Sequence, residues 1–165
     1  MSSGGLPRGV KARKLIDGVR IKELRLLPDG RGYLMEMLRS DDDLFERFGQ
    51  VYLSVGYPGV VKGWHYHKLQ TDCFTIVKGM MKVVLYDRRD ESPTRGEINE
   101  FFMGELNPLL ITIPPGVLHG MMAVGGGPGY LINCPTRPYD YENPDEFRVD
   151  PHDSDVPYEW ETRDG

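Results

Sequence analysis

The sequence predicts an all-β domain, folded as a sandwich or barrel, and three observations carry that prediction. Six short runs of β-branched, aromatic or aliphatic residues recur through the middle of the chain: Tyr33 to Leu38, Val51 to Val55, Cys73 to Val77, Lys82 to Tyr86, Ile98 to Met103 and Leu109 to Ile113. Turn chemistry separates them at regular intervals, at Asp29-Gly30, Tyr57-Pro58-Gly59, Lys78-Gly79, Ser92-Pro93 and Asn107-Pro108. The 20 Gly and 13 Pro among 165 residues suit a chain of many turns and oppose long helices. Evenly spaced short strands of this kind close into sandwiches or barrels.

A chain of this length buries roughly 70% of its unfolded surface around a single core. One domain over 1–165 is therefore expected, with the barrel core at about 29–134 and an irregular acidic tail at 135–165 packed on it. The spacing predicts one short peripheral helix from Asp41 to Phe48, because Ser40 can cap it and Gly49 can close it. Gly125-Gly126-Gly127-Pro128-Gly129 resembles a phosphate-cradling loop only superficially. Strand-like runs flank it and no helix N-terminus follows, so it is read as a hairpin loop. Beyond Pro135 the chain follows neither period, and Tyr158 and Trp160 are expected to pack it down.

Composition excludes several function classes. Met1 to Pro7 has no apolar run behind a basic start, and Lys78 and Lys82 interrupt the most apolar region, so neither a signal peptide nor a membrane span is expected. A cytoplasmic protein is expected. Cys73 and Cys134 each lie in an apolar run and read as reduced core thiols. The formal charge of -5 is uneven: eight basic residues against three acidic up to Leu34, ten acidic against three basic from Pro135 onward. That balance argues against a nucleic-acid or membrane partner and leaves room for a local anion site.

The chemistry concentrates on histidine. In His65-Tyr66-His67, alternate strand residues share one face, so both imidazoles project together and Tyr66 faces away. Asp72 follows, then the turn at Gly79, and later Pro114-Pro115-Gly116-Val117-Leu118-His119. This two-part arrangement resembles the cupin pattern, and the resemblance implies a double-stranded β-helix, the cupin jelly-roll barrel, with these side chains at its mouth. Three imidazoles and a carboxylate, from His65, His67, Asp72 and His119, suit a divalent transition metal with positions open to substrate. Asp72 would have to bring an oxygen to about 2.0–2.2 Å of a zinc-like ion. The alternative is that the histidines bond one another and substrate without metal. His152, in the acidic tail, is expected in solvent.

Longer motifs resemble the dTDP-4-dehydrorhamnose 3,5-epimerases, cupins that act on nucleotide-linked 4-keto-6-deoxy sugars. Asp29-Gly30-Arg31-Gly32-Tyr33-Leu34-Met35-Glu36 is similar to that family's nucleotide-binding strand, which implies substrate binding by Arg31 and Glu36, commonly across a dimer interface. Lys62-Gly63-Trp64-His65-Tyr66 is similar to the motif whose histidine is the general base, which implies His65 as base and Lys62 as phosphate contact. Asp87-Arg88-Arg89-Asp90-Glu91-Ser92-Pro93-Thr94 and Ile113-Pro114-Pro115-Gly116-Val117-Leu118-His119-Gly120 match two further motifs. The departures fall on chemistry. His67 stands where the family has Gln, Asp72 where it has Lys, and Ile132 where it has its general-acid Tyr. The late Ser-x-Lys-Asp segment, whose Asp partners the histidine, finds no counterpart.

Three functions follow as expectations. The first is an isomerase that epimerises a dTDP-4-keto-6-deoxyhexose by proton abstraction beside the ketone. His65, Asp72 and His119 would be catalytic, Arg31, Glu36, Lys62 and His67 would bind substrate, and no cofactor is required. Asp72 would orient His65, while His67 or His119 would donate to the oxyanion. The second is a metal-dependent cupin, a dioxygenase or isomerase, ligated by His65, His67, Asp72 and His119. The third is a non-catalytic nucleotide-sugar-binding cupin. A homodimer and a nucleotide-sugar ligand are implied by the resemblance alone.

Overall fold

The computed structural model describes residues 5–152 and 155–160. Two antiparallel sheets face each other. One holds six strands in the order β1 (Val10–Ala12), β9 (Ile98–Gly104), β8 (Met80–Asp87), β11 (Val117–Ala123), β6 (Val61–Tyr66) and β13 (Phe147–Arg148). The other holds five, β2 (Arg20–Glu23), β10 (Leu109–Ile113), β7 (Asp72–Lys78), β12 (Gly129–Asn133) and β5 (Tyr52–Gly56). A separate hairpin, β3 (Leu26–Asp29) and β4 (Gly32–Met35), forms its own two-stranded sheet among the described residues. From β5 to β12 the chain changes sheet at every connection except the β8–β9 hairpin, which is the jelly-roll course.

The inward side chains of both sheets form one core around Phe74, Ile76, Met81, Leu85, Phe101, Met103, Ile111, Ile113 and Leu131. A second cluster lies outside the six-stranded sheet. There Trp64, Val84 and Leu118 are covered by Val156, Tyr158 and Trp160, with the Trp64 ring 5.1 Å from Trp160 and 5.9 Å from Tyr158. The centre of this sheet is thus apolar on both faces, which explains why Val117–Ala123 is buried at every position. Gly120 permits the cover, because a Cβ there would stand 2.8 Å from the Trp160 ring.

Several expectations are corrected. No helix forms over Asp41–Phe48; residues 41–44 make turns and 45–48 continue as irregular chain. Arg20 reaches the carbonyls of Asp43 and Leu44 at 2.7 and 3.2 Å, Lys22 holds Asp42 at 2.6 Å, and Asp42 accepts the Arg39 amide at 2.8 Å. These side chains engage groups that a helix would need for itself. The sheets start at Val10 rather than near residue 29, because β1 pairs with β9 and β2 with β10. They extend to Arg148, where β13 pairs with His65 and Tyr66. The glycine-rich segment is no hairpin loop, since it carries the chain from β11 in one sheet to β12 in the other.

Candidate active site

The site lies between the sheets at one end of the barrel. The six-stranded sheet contributes His65 and His119, directly opposite each other on β6 and β11, and a register shift between His119 and Met121 re-aims β11 there. The five-stranded sheet contributes Asp72, Asn133 and Tyr52. β6 ends at Tyr66, yet His65 and His67 still line one cavity of about 170 Å³, together with Lys62, Tyr52, His119 and Glu146. Tyr66 takes the other face, stacked on Phe147 at 5.0 Å.

Asp72 is the buried centre of this network, 1% exposed. Its Oδ1 accepts from Gln70 Nε2 and Asn133 Nδ2, both at 2.8 Å. Its Oδ2 lies 3.2 Å from His67 Nε2 and 3.3 Å from His119 Nε2. Nδ1 of His67 meets the Asp145 carbonyl, and Nδ1 of His119 lies 3.2 Å from the Val117 carbonyl. Asp145 is held in turn by three backbone amides, Lys68 to Gln70, at 2.8–3.1 Å. His67, Asp72 and His119 thus converge, their ligand atoms all within 4.8 Å of one another. His65 stands apart from that group, with its ring 6.2 Å from His119. The expected four-residue ligand set is therefore brought together only as three, and Asp72 Oδ2 stands beside His67 and His119 rather than beside His65.

Environment separates the roles of these groups. Burial holds His65 below the ordinary histidine value, with Glu146 pulling it up and Arg148 pushing it down. A neutral imidazole, able to take a proton, is the form this favours at neutral pH. Burial pushes His119 down to about 4 against the opposing charge of Asp72. For His67 burial works downward too, but the Asp72 carboxylate outweighs it and raises the value. Asp72 is pushed up by burial and brought below the usual carboxylate range by His67 and His119. Burial, then the Asp72 charge, raises Tyr52 to about 12.

Lys62 faces the same cavity and donates to Ser54 Oγ at 2.6 Å. Arg31 does not reach it. Its side chain is 90% exposed on the β3–β4 hairpin and pairs with Asp29 at 2.5 Å, while Glu36 pairs with Arg39 at 2.9 Å. Sequence reasoning missed Tyr52, whose hydroxyl accepts from Asn133 Nδ2 at 2.8 Å. It also missed a wider trough of about 580 Å³ that adjoins the histidine cavity through His67, Tyr52 and Glu146 and carries Arg47, Arg137 and Tyr139. Nothing local marks these residues, because segments distant in the chain bring them together. Ile132 lines neither cavity.

A two-sheet jelly roll with a histidine-lined cavity at its mouth defines a cupin. The family model for dTDP-4-dehydrorhamnose 3,5-epimerase matches residues 13–164, and the chain belongs to that family. It is 43% identical over 148 residues to the spore coat polysaccharide biosynthesis protein SpsL of Bacillus subtilis, covering 90% of this chain and 98% of that protein. Among solved structures, a dTDP sugar isomerase from Desulfovibrio desulfuricans superposes with a TM-score of 0.83 at 36% identity, covering 90% of this chain and 94% of the other. An epimerase from Legionella pneumophila, solved with dTDP-4-keto-L-rhamnose, has a TM-score of 0.77 at 25% identity, covering 92% and 83%. No helix among the described residues is long and apolar enough to cross a membrane.

Proposed function

We propose that this chain epimerises a nucleotide-linked 4-keto-6-deoxyhexose, with His65 as the base. The observation that carries this is the placement of His65: it faces the cavity, and burial keeps it a neutral base. The imidazole lone pair takes the proton from a carbon beside the ketone, and the C–H electrons move onto the carbonyl oxygen as an enolate. Return of a proton to the opposite face restores the ketone with that centre inverted, so no oxidant or reductant is consumed. Tyr52 is the donor in this reading. Its oxygen accepts from Asn133, which leaves its O–H free to aim at the cavity, and its raised pKa keeps it protonated. The Lys62 ammonium, Arg47 and Arg137 supply positive charge toward the diphosphate.

Arg31 and Glu36 act in this reading on a second protomer's substrate. The hairpin that carries Arg31 exposes Leu27 and Leu34 on one face and Leu26 and Tyr33 on the other, apolar surface that a homodimer would cover. The three-residue network of His67, Asp72 and His119 fits a divalent ion as well as a hydrogen-bonded cluster.

The test is solvent deuterium incorporation into dTDP-4-keto-6-deoxyglucose, followed by NMR. Wild type should exchange the proton beside the ketone, and His65→Ala should slow exchange by about 10²–10⁴-fold, the range for a positioned base. Absence of exchange in wild type across several dTDP-4-keto sugars refutes the reading.

A further inference from the structure

We propose that Cys73 and Cys134 are a modification site: a low-molecular-weight disulfide oxidises them to one intramolecular disulfide that staples β7 to β12 behind the active site. The strand pairing places them. Asn133 stands opposite Phe74 in the antiparallel ladder, so the next residue, Cys134, stands opposite Cys73, and its amide donates to the Cys73 carbonyl at 3.1 Å. Phe74 and Leu131 point into the core, and alternation turns Cys73 and Cys134 together onto the outer face of the five-stranded sheet.

The spacing suits a disulfide. Opposite residues joined by a backbone hydrogen bond have Cα atoms about 5.5 Å apart, and disulfides most often span about 5.5–6 Å between Cα atoms. The Cβ atoms set the stricter requirement, about 4.5–5.5 Å for opposite strand residues against about 3.5–4.5 Å in a disulfide. The bond therefore asks the strands to close by about 1 Å at this point. No third thiol competes, since the chain has two cysteines, and both are free.

Exposure orders the chemistry, because Cys134 is partly exposed while Cys73 is 6% exposed. The Cys134 thiolate attacks one sulfur of the oxidant RSSR, and the other half leaves as a thiolate that takes up a proton. The Cys73 thiolate then attacks the Cys134 sulfur of the mixed disulfide and displaces the second half. In sum, two protein thiols lose two electrons and two protons, and RSSR becomes two RSH. Burial raises both thiols above the ordinary value, Cys73 to about 12, so little thiolate exists at neutral pH and the exchange is slow.

The staple reaches the site through one side chain. Asn133 Oδ1 accepts from the Cys73 amide at 2.9 Å, while its Nδ2 donates to Asp72 Oδ1 and to the Tyr52 hydroxyl, both at 2.8 Å. Drawing Cys73 toward Cys134 moves the clamp that holds Tyr52; this second step rests on the epimerase reading, in which Tyr52 is the proton donor. A misplacement of about 1 Å can cost about 100-fold in rate, so the bridged form is the slower one.

The test incubates the full chain with oxidised glutathione for hours at about pH 8, where the thiolate fraction is larger. Free thiols are then capped with N-ethylmaleimide in denaturant, and the protein is weighed intact and digested without reductant. A monomer two hydrogens lighter than the reduced chain is expected, uncapped, with the Cys73 and Cys134 peptides joined and both thiols recovered by dithiothreitol. Two caps, a lasting glutathione adduct on Cys134, or disulfide-linked dimers overturn the bond, and wild type alone supplies this readout. Deuterium exchange into dTDP-4-keto-6-deoxyglucose then compares bridged with reduced protein. In the bridged form kcat should fall by about 10–100-fold with KM little changed, and recover with dithiothreitol, whereas Cys134→Ser should ignore the oxidant. An unchanged kcat in fully bridged protein, or an equal fall in Cys134→Ser, overturns the coupling to Tyr52. Reduced wild type that exchanges no sugar refutes the epimerase reading and the coupling with it, while the mass still decides the bond.

Discussion

Replacing Asp87 by Asn should destabilise the fold by about 3–5 kcal/mol at neutral pH, the range for removing one partner of a buried ion pair. Asp87 ends β8 fully buried. Its Oδ1 accepts from Arg89 N at 3.1 Å and Nε at 2.8 Å, and its Oδ2 from Arg89 Nη2 at 2.8 Å, Ser92 Oγ at 2.6 Å and Thr94 Oγ1 at 2.7 Å. Thr94 Oγ1 accepts the Asp17 amide at 2.9 Å, so the cluster also ties the N-terminal segment to the barrel. An amide keeps the shape but removes the charge, and its NH₂ must face donors. Arg89 is partly exposed, which places the expected loss near the lower end. At roughly 2–4 °C per kcal/mol for a domain of this size, a loss near 3 kcal/mol lowers Tm by about 6–12 °C. The pH dependence has a definite sign. Burial works against the Asp87 charge, but Arg89, Ser92 and Thr94 hold the folded-state carboxyl well below the usual carboxylate range. Its contribution is therefore complete above the unfolded value near 3.9 and is lost as pH falls through the depressed folded value. Urea unfolding of both proteins from pH 7 downward should show a gap that is constant to about pH 5 and closes only in strong acid. Equal urea midpoints at pH 7, or a gap that persists unchanged in strong acid, would refute the reasoning.

Tyr52→Phe should lower kcat for epimerisation by roughly 100-fold or more with little change in KM, because the hydroxyl is assigned to proton return rather than to binding; an unchanged kcat measured by NMR removes Tyr52 from the reaction. The double substitution Tyr33→Asp with Leu34→Asp should convert a dimer to monomers in light scattering. Each apolar side chain covered contributes about 1.5–3 kcal/mol, and a two-fold interface would use four from these positions; wild type that is already monomeric at assay concentration excludes the swapped role of the hairpin.

Strand periodicity made β5, β7, β8, β9 and β10 legible, while the Tyr33 to Leu38 run is strand only as far as Met35 and lies in the separate hairpin; alternation placed His65 and His67 on one face with Tyr66 on the other. What alternation cannot report is the opposite sheet. Asp72, Asn133 and Tyr52 meet the histidines only because β7, β12 and β5 lie side by side across the barrel, and no local signal in Tyr52-Leu53-Ser54 announces that. The missing helix has the same origin: Ser40 and Gly49 are sound local punctuation, but Arg20 and Lys22 from β2 engage the groups of Asp42, Asp43 and Leu44. The early strands were obscured by charge, since Val10–Ala12 and Arg20–Glu23 are short and half-polar and acquire strand geometry from β9 and β10.

His67 and Asp72 depend on each other. A carboxylate as buried as Asp72 would cost several kcal/mol if left without compensation. A glutamine at 67 could offer one neutral bond. Histidine at 67 offers a nitrogen that can carry a proton or bind a cation, and the Asp145 carbonyl fixes which nitrogen that is. Changing either position alone should therefore lower the urea midpoint: His67→Gln leaves Asp72 short of a partner, and Asp72→Lys sets an ammonium beside two imidazoles. His65, on the neighbouring strand and outside that group, keeps its lone pair for the substrate.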